Sequence, residues 1–139
     1  GTAIYVADTM GELGLFYRLA EVVFIGGSLV PHGGQNPIEP AQLESAILHG
    51  PHMTNFQPII AALKAAGANQ EVADAAELAR AVGDLLADAG ERRRRAVAAG
   101  KVAAGEAGVL DRYLKALAPV LASLPGGRPS SRPKSVARA

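Results

Sequence analysis

The sequence contains no cysteine and no tryptophan, and aromatic residues make up only 4% of its 139 residues. The absence of cysteine excludes disulfides and thiolate metal sites. Because large aromatic side chains are scarce, the core must be built mainly from Ala, Val, Leu and Ile, which suits a sheet packed against helices with small faces. The chain also lacks a strong excess of either charge, since its formal net charge is +1, and this argues against a nucleic-acid partner.

No apolar run approaches the roughly 20 residues that span a bilayer, and no signal peptide is recognised at the start of the chain. The first residue is not methionine, so we expect a fragment or excised domain. Four basic residues and no acid lie in a final stretch rich in Gly, Pro and Ser, namely Arg128, Arg132, Lys134 and Arg138. We therefore predict a single domain over residues 1–124 and a disordered basic tail over 125–139.

Four short apolar runs, at residues 4–6, 22–25, 46–49 and more weakly 69–72, are typical of buried parallel strands. The segments between them have helical spacing, most clearly at Leu78, Val82, Leu85 and Leu86, where residues 74–77 resemble a capping box. One or two closing helices are predicted after residue 90, interrupted near residues 100–108. The alternation predicts an α/β fold with a parallel sheet.

Glycine, proline, histidine, asparagine and acids concentrate in three segments that follow predicted strands, residues 7–12, 26–39 and 50–55. Ligands of open parallel sheets bind beyond the carboxyl ends of the strands, so we place a candidate site there. In the second segment, glycine pairs permit positive φ and close approach of a ligand. Asn36 can cap a helix that begins at Pro37, whose start suits a phosphate, and Glu39 can accept hydrogen bonds from ribose hydroxyls.

Each of these patterns also has an interpretation that needs no ligand. Asn36 and Glu39 have the spacing of an N-cap and its third helical residue, and locally the two interpretations are balanced. The neighbouring glycine pairs favour a ligand, because a cap alone does not require them. Residues 9–12 are slightly better explained as a capping box than as a second wall of a phosphate site around Gly11.

Histidines and arginines give weaker signals. His32, His49 and His52 have no cysteine or carboxylate cluster at ligand spacing beside them, so no metal site and no cofactor is predicted. We expect His49 to be a packed strand end and His52 to be available to a ligand. The arginines at 92–95 would spread around a helix and form a solvated face.

Four linked motifs resemble one known family. They are Asp-Thr-Met-Gly-Glu-Leu at 8–13, Phe-Ile-Gly-Gly-Ser-Leu at 24–29, His-Gly-Gly-Gln-Asn-Pro-Ile-Glu-Pro at 32–40 and Gly-Pro-His-Met-Thr-Asn-Phe at 50–56. Their order and spacing resemble the C-terminal donor-binding domain of 3-deoxy-D-manno-octulosonic acid (Kdo) transferase through about residue 120. Gln35 departs from the family, which usually has His at that position, so any role that needs an imidazole there is in doubt.

The resemblance implies the C-terminal half of a GT-B glycosyltransferase with a Rossmann-like parallel sheet and helices on both faces. CMP-Kdo would be the donor and a lipid A precursor the acceptor, in lipopolysaccharide assembly at the cytoplasmic face of the inner membrane. The implied CMP pocket has one wall at Met10, Gly11 and Glu12 and another at Asn36, Pro37, Ile38 and Glu39. Further donor-site loops are implied at Gly26, Gly27, Ser28, Gly33, Gly34 and His52.

No catalytic residue is assigned to this sequence, since the resemblance places the general base, the acceptor-binding domain and a membrane anchor before residue 1. Two other functions remain open. One is donor binding in another GT-B enzyme, such as a UDP-sugar transferase or epimerase. The other is a nucleotide-binding module without catalysis of its own.

Overall fold

A computed structural model describes the backbone of residues 4–8 and 11–123. Its elements follow one another as α1 (Leu13–Leu19), β1 (Val22–Phe24), α2 (Ile38–Gln42), β2 (Ala46–His49), a 3-10 turn (Thr54–Phe56), α3 (Gln57–Ala65), β3 (Asn69–Glu71), α4 (Ala75–Ala87) and α5 (Ala89–Ser123). The chain divides into two compact units, residues 1–106 and 107–139. The first unit contains the sheet; in the second, the structure describes helical backbone up to Ser123. The predicted tail at 125–139 lies outside the described residues.

The three strands form a parallel sheet in the order β1-β2-β3. Val23 lies opposite Ile47, and Leu48 opposite Gln70. All four residues of β2 are buried, because this strand is central and its two faces are both covered. Continuous burial explains why its sequence shows an unbroken apolar run and no alternation.

Helices cover both faces of the sheet. Ile47 faces a core that α2, α3 and α5 complete with Ala41, Leu63 and Ala99. Leu48 points to the opposite face, where α4 covers the sheet with residues that include Ala81 and Leu85. The predicted Rossmann-like α/β class, with a parallel sheet between two helical layers, is confirmed.

The predicted strand at residues 4–6 is wrong. This segment has no strand hydrogen bonding, and Ile4 and Val6 are 80% and 76% exposed. Helix α1 likewise has no buried residue. A parallel strand needs a neighbour along its edge and cover on its faces, and among the described residues this segment has neither.

The predicted interruption of the last helix is also wrong, since α5 runs without a break through residues 100–108. Glycine in a helix costs only about 1 kcal/mol relative to alanine, which packing on one side can offset. Ala99 and Ala103 supply that packing because both are fully buried. Among the described residues, no helix combines the length and apolarity needed to cross a membrane.

Of the arginines at the start of α5, Arg93 and Arg94 are exposed as predicted, whereas Arg92 and Arg95 are not part of a solvated face. The Arg92 side chain is only 14% exposed; it pairs with Glu21 at 3.1 Å and donates to the carbonyl of Leu85 at 2.8 Å. Arg95 donates to Glu91 and to Gln70 of β3. These bonds join the start of α5 to the end of α4, to the residue before β1 and to β3, which the charge pattern alone does not reveal.

Candidate functional site

Two loops meet at the carboxyl ends of β1 and β2, and Ser28 holds them together. Its hydroxyl donates to the carbonyl of Ile25 and accepts from the amide of Gly50 at 2.8 Å. The amide of His52 donates to the Ser28 carbonyl at 2.9 Å. Ser28 is fully buried. Because protein groups occupy its hydroxyl in both directions, Ser28 joins the loops and presents no free group to a ligand.

The second glycine pair is needed by this loop packing. Gly33 and Gly34 have φ of +99° and +76°, a region that side chains disfavour. A Cβ on Gly34 would overlap the sulfur of Met53, and a Cβ on Gly33 would overlap the side-chain amide group of Asn55. These glycines are therefore explained without a ligand, which removes one argument that the sequence offered for a binding site.

In the first glycine pair, Gly27 is needed for packing and Gly26 is not. Gly27 has φ of +68°, and a Cβ there would lie 2.8 Å from the ring of His32. Gly26 has no positive φ, and of the described residues only Gln35 has an atom, its Cγ at 4.0 Å, within 4 Å of a Cβ placed there. Gly26 is also exposed. The open space beside its backbone, directly after β1, is where a ligand could approach most closely.

The start of α2 supplies fewer amides than the sequence suggests. Pro37 stands just before the helix, and the side-chain oxygen of Asn36 accepts from the amide of Ile38 at 2.9 Å. Among residues 37–40, the amide of Ile38 is bonded to Asn36 and the two prolines have no N–H. Only the amide of Glu39 is left to bind a ligand. A phosphate at this five-residue helix would need most of its donors from elsewhere.

At this edge of the sheet, Glu39 has a carboxylate that the described part of the protein does not use. Its carboxylate is exposed and forms no hydrogen bond or ion pair with any residue that the structure describes. In a complete capping box it would accept from the amide of Asn36, and it does not. Its charge acts on Tyr17 of α1, whose pKa is raised, first by burial and then by Glu39.

Helix α1, which follows the first predicted wall, packs beside α2, which carries Glu39 of the second. Gly11 has φ of +93°, which requires a glycine-like conformation, and Glu12 caps α1 with a carbonyl that accepts from Leu15 at 2.9 Å. Both residues are exposed. Met10, the third residue of this wall, lies outside the described residues.

The histidines have distinct environments. His49 is 3% exposed, and its Nδ1 lies 2.8 Å from the Gly50 carbonyl while Nε2 lies 2.9 Å from Nδ2 of Asn69. Nδ1 must therefore donate and Nε2 accept, which makes His49 the packed strand end that was predicted. His52 is half-buried and His32 is exposed. In the part of the chain that the structure describes, no three histidines or acids are grouped as metal ligands.

A cavity of about 260 Å³ opens beyond β2 and β3, and sequence reasoning missed it. Its lining includes His49, Pro51, Met53, Lys64 and Glu71. Lys64 lies on α3 and Glu71 ends β3, so no sequence motif joins them. A larger cavity, of about 940 Å³, lies apart from this edge between the end of α3 and α5.

No family model matches the chain. The 3-deoxy-D-manno-octulosonic acid transferase of Haemophilus influenzae is 39% identical over 121 residues, which cover 86% of this chain and 28% of that protein. The enzyme of the same name from Bordetella pertussis is 35% identical over 114 residues, covering 82% of this chain and 27% of the relative. The chain thus spans about a quarter of the length of these curated relatives.

A solved structure has the same fold. The crystal structure of the C-terminal CMP-Kdo binding domain of WaaA from Acinetobacter baumannii superposes with a TM-score of 0.70 at 37% identity. The match covers 73% of this chain and 53% of the solved one. The resemblance that the four motifs predict is confirmed. The chain corresponds to about half of that solved chain.

Proposed function

We propose that this chain is part of the donor-binding region of a Kdo transferase and holds CMP-Kdo at the carboxyl edge of its sheet. The observation that carries the proposal is the carboxylate of Glu39, which stands exposed beside the loops and is used neither for capping nor for an ion pair among the described residues. An unpaired carboxylate in such a place suits the two vicinal hydroxyls of a ribose. Similarity to the Kdo transferases identifies the nucleotide as CMP.

The proposed pocket lies between two walls. Gly11 and Glu12, with Met10, form the wall at the start of α1; Asn36 and Glu39, with Pro37 and Ile38, form the wall at α2. Gly26 leaves space for the donor to approach the end of β1. The remaining loop residues support this edge, with Gly27, Ser28, Gly33 and Gly34 in the loop and His52 facing it.

The proposed reaction is displacement of CMP by a hydroxyl of a lipid A precursor. A bond forms between the acceptor oxygen and the anomeric carbon of Kdo, and the bond from that carbon to the phosphate oxygen of CMP breaks. The hydroxyl proton passes to a general base, a role that we assign to no residue of this chain. The chain contributes by binding and stabilising the departing CMP, a form of electrostatic stabilisation.

The complete enzyme would need a further, acceptor-binding domain and would act at the cytoplasmic face of the inner membrane. The chain alone is expected to transfer no Kdo. Joining it to the remainder of a Kdo transferase should give transfer from CMP-Kdo to a lipid A precursor, measured by product formation. If the joined, folded protein binds CMP-Kdo but never transfers Kdo, the chain is a nucleotide-binding module only.

Calorimetry distinguishes the proposed donor from those of other GT-B enzymes. We expect CMP to bind the complete donor-binding region with a Kd at least tenfold lower than UDP or NAD. The opposite order, with tight UDP binding and no CMP binding, would assign the chain to a UDP-sugar transferase or epimerase.

A further inference from the structure

The start of α5 carries two positive charges that the described fold does not use. Arg92 and Arg95 turn inward and bond to residues beside β1 and on β3. Arg93 and Lys101, by contrast, are exposed, and neither forms a hydrogen bond or an ion pair with any residue that the structure describes. These two cations are therefore available to a partner.

The same two side chains line the cavity of about 940 Å³ between the end of α3 and α5, which we call the α5 groove. Val97, Ala98 and Val102 of α5 give it an apolar surface. Val97 is only half-buried and packs against neither of the two described cores. Among the described residues, every charged side chain that lines the groove is basic. The groove thus combines apolar surface with charge of a single sign.

Small residues border the α5 groove at the junction of the two helices. Ala66 at the end of α3 and Ala89 and Gly90 at the start of α5 all line it. Arg94 ties the two helices together, because its guanidinium donates to the carbonyl of Gly67, just after α3, at 3.2 Å. Helices approach one another more closely where the side chains between them are small. This border therefore suits a further helix.

We propose that the α5 groove is a docking site for an acidic amphipathic helix of another protein. In this mode of recognition, the apolar face of a helix lies in an apolar groove. Carboxylates of the partner pair with Arg93 and Lys101, and apolar side chains between them cover Val97 and Ala98. No residue assigned to the proposed CMP pocket lines the groove, so the inference does not depend on the proposed nucleotide contacts.

The spacing of the two cations favours an extended acidic partner over a single anion. Arg93 and Lys101 are eight residues apart, which at about 1.5 Å per residue places their backbones roughly 12 Å apart along the helix. Val97 lies midway between them. Two carboxylates about two turns apart on a partner helix match this spacing, whereas a single phosphate would leave the apolar surface between the cations uncovered.

Charge excludes the basic end of this chain as the occupant. Residues 125–139 contain no acid and four basic residues, namely Arg128, Arg132, Lys134 and Arg138. Contacts between like charges are unfavourable at an interface. The complementary segment must therefore carry acids, and it comes from another molecule.

Selection from a displayed peptide library tests this chemistry before the partner is identified. The peptides are about four helical turns long, with an apolar residue at every third or fourth position and all other positions randomised. Peptides selected against the 139-residue chain should be enriched in Asp and Glu at positions that flank the apolar stripe. Selection against the double variant Arg93→Glu, Lys101→Glu should instead enrich Lys and Arg at those positions.

The strongest acidic peptide then measures the contribution of each residue by fluorescence anisotropy. Arg93→Glu and Lys101→Glu should each raise its Kd at least tenfold, and Val97→Ser should raise it severalfold although no charge changes. Arg80→Glu is the matched control, because Arg80 is an exposed arginine of α4 that does not line the groove. All four variants should melt within about 2 °C of the parent, since these side chains are not used by the described fold.

Selected peptides without a preference for acids would overturn the proposal, as would an acidic peptide that Arg93→Glu and Arg80→Glu weaken equally. A larger drop in the melting temperature of Arg93→Glu and Lys101→Glu would also overturn it, because the two cations would then already have partners in the fold.

Two other occupants are tested in the same way. If no peptide is selected but vesicles containing phosphatidylglycerol bind through Arg93 and Lys101, the groove contacts a lipid surface and the proposal is wrong. Sedimentation tests a second copy of the chain. A dimer that Arg93→Glu dissociates and Arg80→Glu does not would overturn the choice of partner, because the groove would then be covered by its own copy.

Discussion

The helices α2 and α4 begin with the same residue spacing but use it differently. At α4, Asp74 accepts from the amide of Glu77 at 2.8 Å, and the carboxylate of Glu77 accepts from the amide of Ala73 at 2.8 Å. The cap is reciprocal as in a capping box, although the carboxylate of Glu77 accepts from the amide just before the N-cap residue. At α2, Asn36 accepts from the amide of Ile38, but Glu39 returns no bond. The acid at α4 stabilises its own helix, whereas the acid at α2 is left for another partner.

The start of α5 supports this comparison. Asp88 accepts from the amide of Glu91 at 2.9 Å, and Glu91 then pairs with Arg94 and Arg95 at 2.6 and 2.7 Å. Of these three starts with an acid three residues after Asn or Asp, only that of α2 leaves the acid without a protein hydrogen bond among the described residues. A carboxylate that its own fold does not use is a stronger indication of a binding site than the sequence pattern itself.

The largest expected change in stability comes from a glycine in the loops at the carboxyl edge of the sheet, compared with a glycine on α4. A Cβ on Gly50 would overlap the backbone carbonyl of Ser28, which cannot rotate away as a side chain can. Gly50→Ala should therefore lower the free energy of unfolding by about 3 kcal/mol, as overpacking does. Chemical denaturation with urea measures this.

Gly83→Ala is the matched control on α4. A Cβ at Gly83 meets no atom within 4 Å, and the residue lies inside a helix. Alanine there should raise the free energy of unfolding by about 0.5–1 kcal/mol. If both substitutions change stability alike, the loops at the edge are not packed as described.

The next effect tests the two acids directly. Glu39→Gln keeps the size of the side chain but removes its charge and half of its accepting capacity. It should weaken CMP binding to the complete donor-binding region by about 1–3 kcal/mol while the melting temperature stays the same. Calorimetric titration and a thermal melt give the two quantities.

Glu77→Gln is the control for this comparison, since the same substitution is made at an acid that likewise lies three residues after a capping side chain. It should leave CMP affinity unchanged. A Glu39→Gln protein that melts at lower temperature but binds CMP normally would show that Glu39 acts in stabilising α2.

A smaller effect is expected when the cap of α4 is removed. Asp74→Ala deletes the acceptor for the amide of Glu77 and should cost about 1 kcal/mol of unfolding free energy. CMP affinity should not change, because none of the residues assigned to the proposed pocket lies on α4. A loss of CMP binding with Asp74→Ala would link α4 to the site and weaken the contrast between the two helices.

The smallest effect concerns the acid of α5. Hydrogen bonds from Arg94 and then Arg95 lower the pKa of Glu91 from 4.5 to about 2. Because the pKa of Glu91 is lower in the folded state, its ion pairs contribute fully to the stability of the fold above about pH 4.5. This contribution is lost as the pH falls towards 2. The melting temperature measured between pH 2 and 4.5 should therefore depend less on pH in Glu91→Gln than in the parent chain. An unchanged profile would mean that solvent screens the exposed pair completely.

Much of the sheet could be predicted from local pattern. The apolar runs at 22–25 and 46–49 coincide with β1 and β2 to within one residue, because parallel strands covered on both faces leave a continuous apolar signal. The weaker prediction at 69–72 also coincides with β3, although that edge strand has the polar sequence Asn-Gln-Glu. The same signal at residues 4–6 did not give a strand. There the backbone lacks a neighbouring strand in the described part of the chain, and apolarity alone cannot supply the missing hydrogen bonds.

The site was predicted less completely. The sequence identified the edge of the sheet at which the loops after β1 and β2 meet, since parallel strands place the loops that follow them at one side. It could not identify which glycines are needed for loop packing, as Gly34 is, and which leave open space, as Gly26 does. It also missed the cavity that joins Lys64 of α3 to Glu71 of β3, because those residues are close only in the folded chain.

By itself, the sequence determined the α/β class, the three strands, the capping of α4 and the similarity to Kdo transferases. These follow from periodicity, local hydrogen bonding and linked motifs, which depend on neighbours along the chain. Only the three-dimensional structure decided that the carboxylate of Glu39 forms no bond among the described residues, although its spacing resembles that of Glu77 and Glu91. The spacing from cap to acid is the same in all three helices, and what differs is which backbone amides and arginines the fold brings within hydrogen-bonding distance.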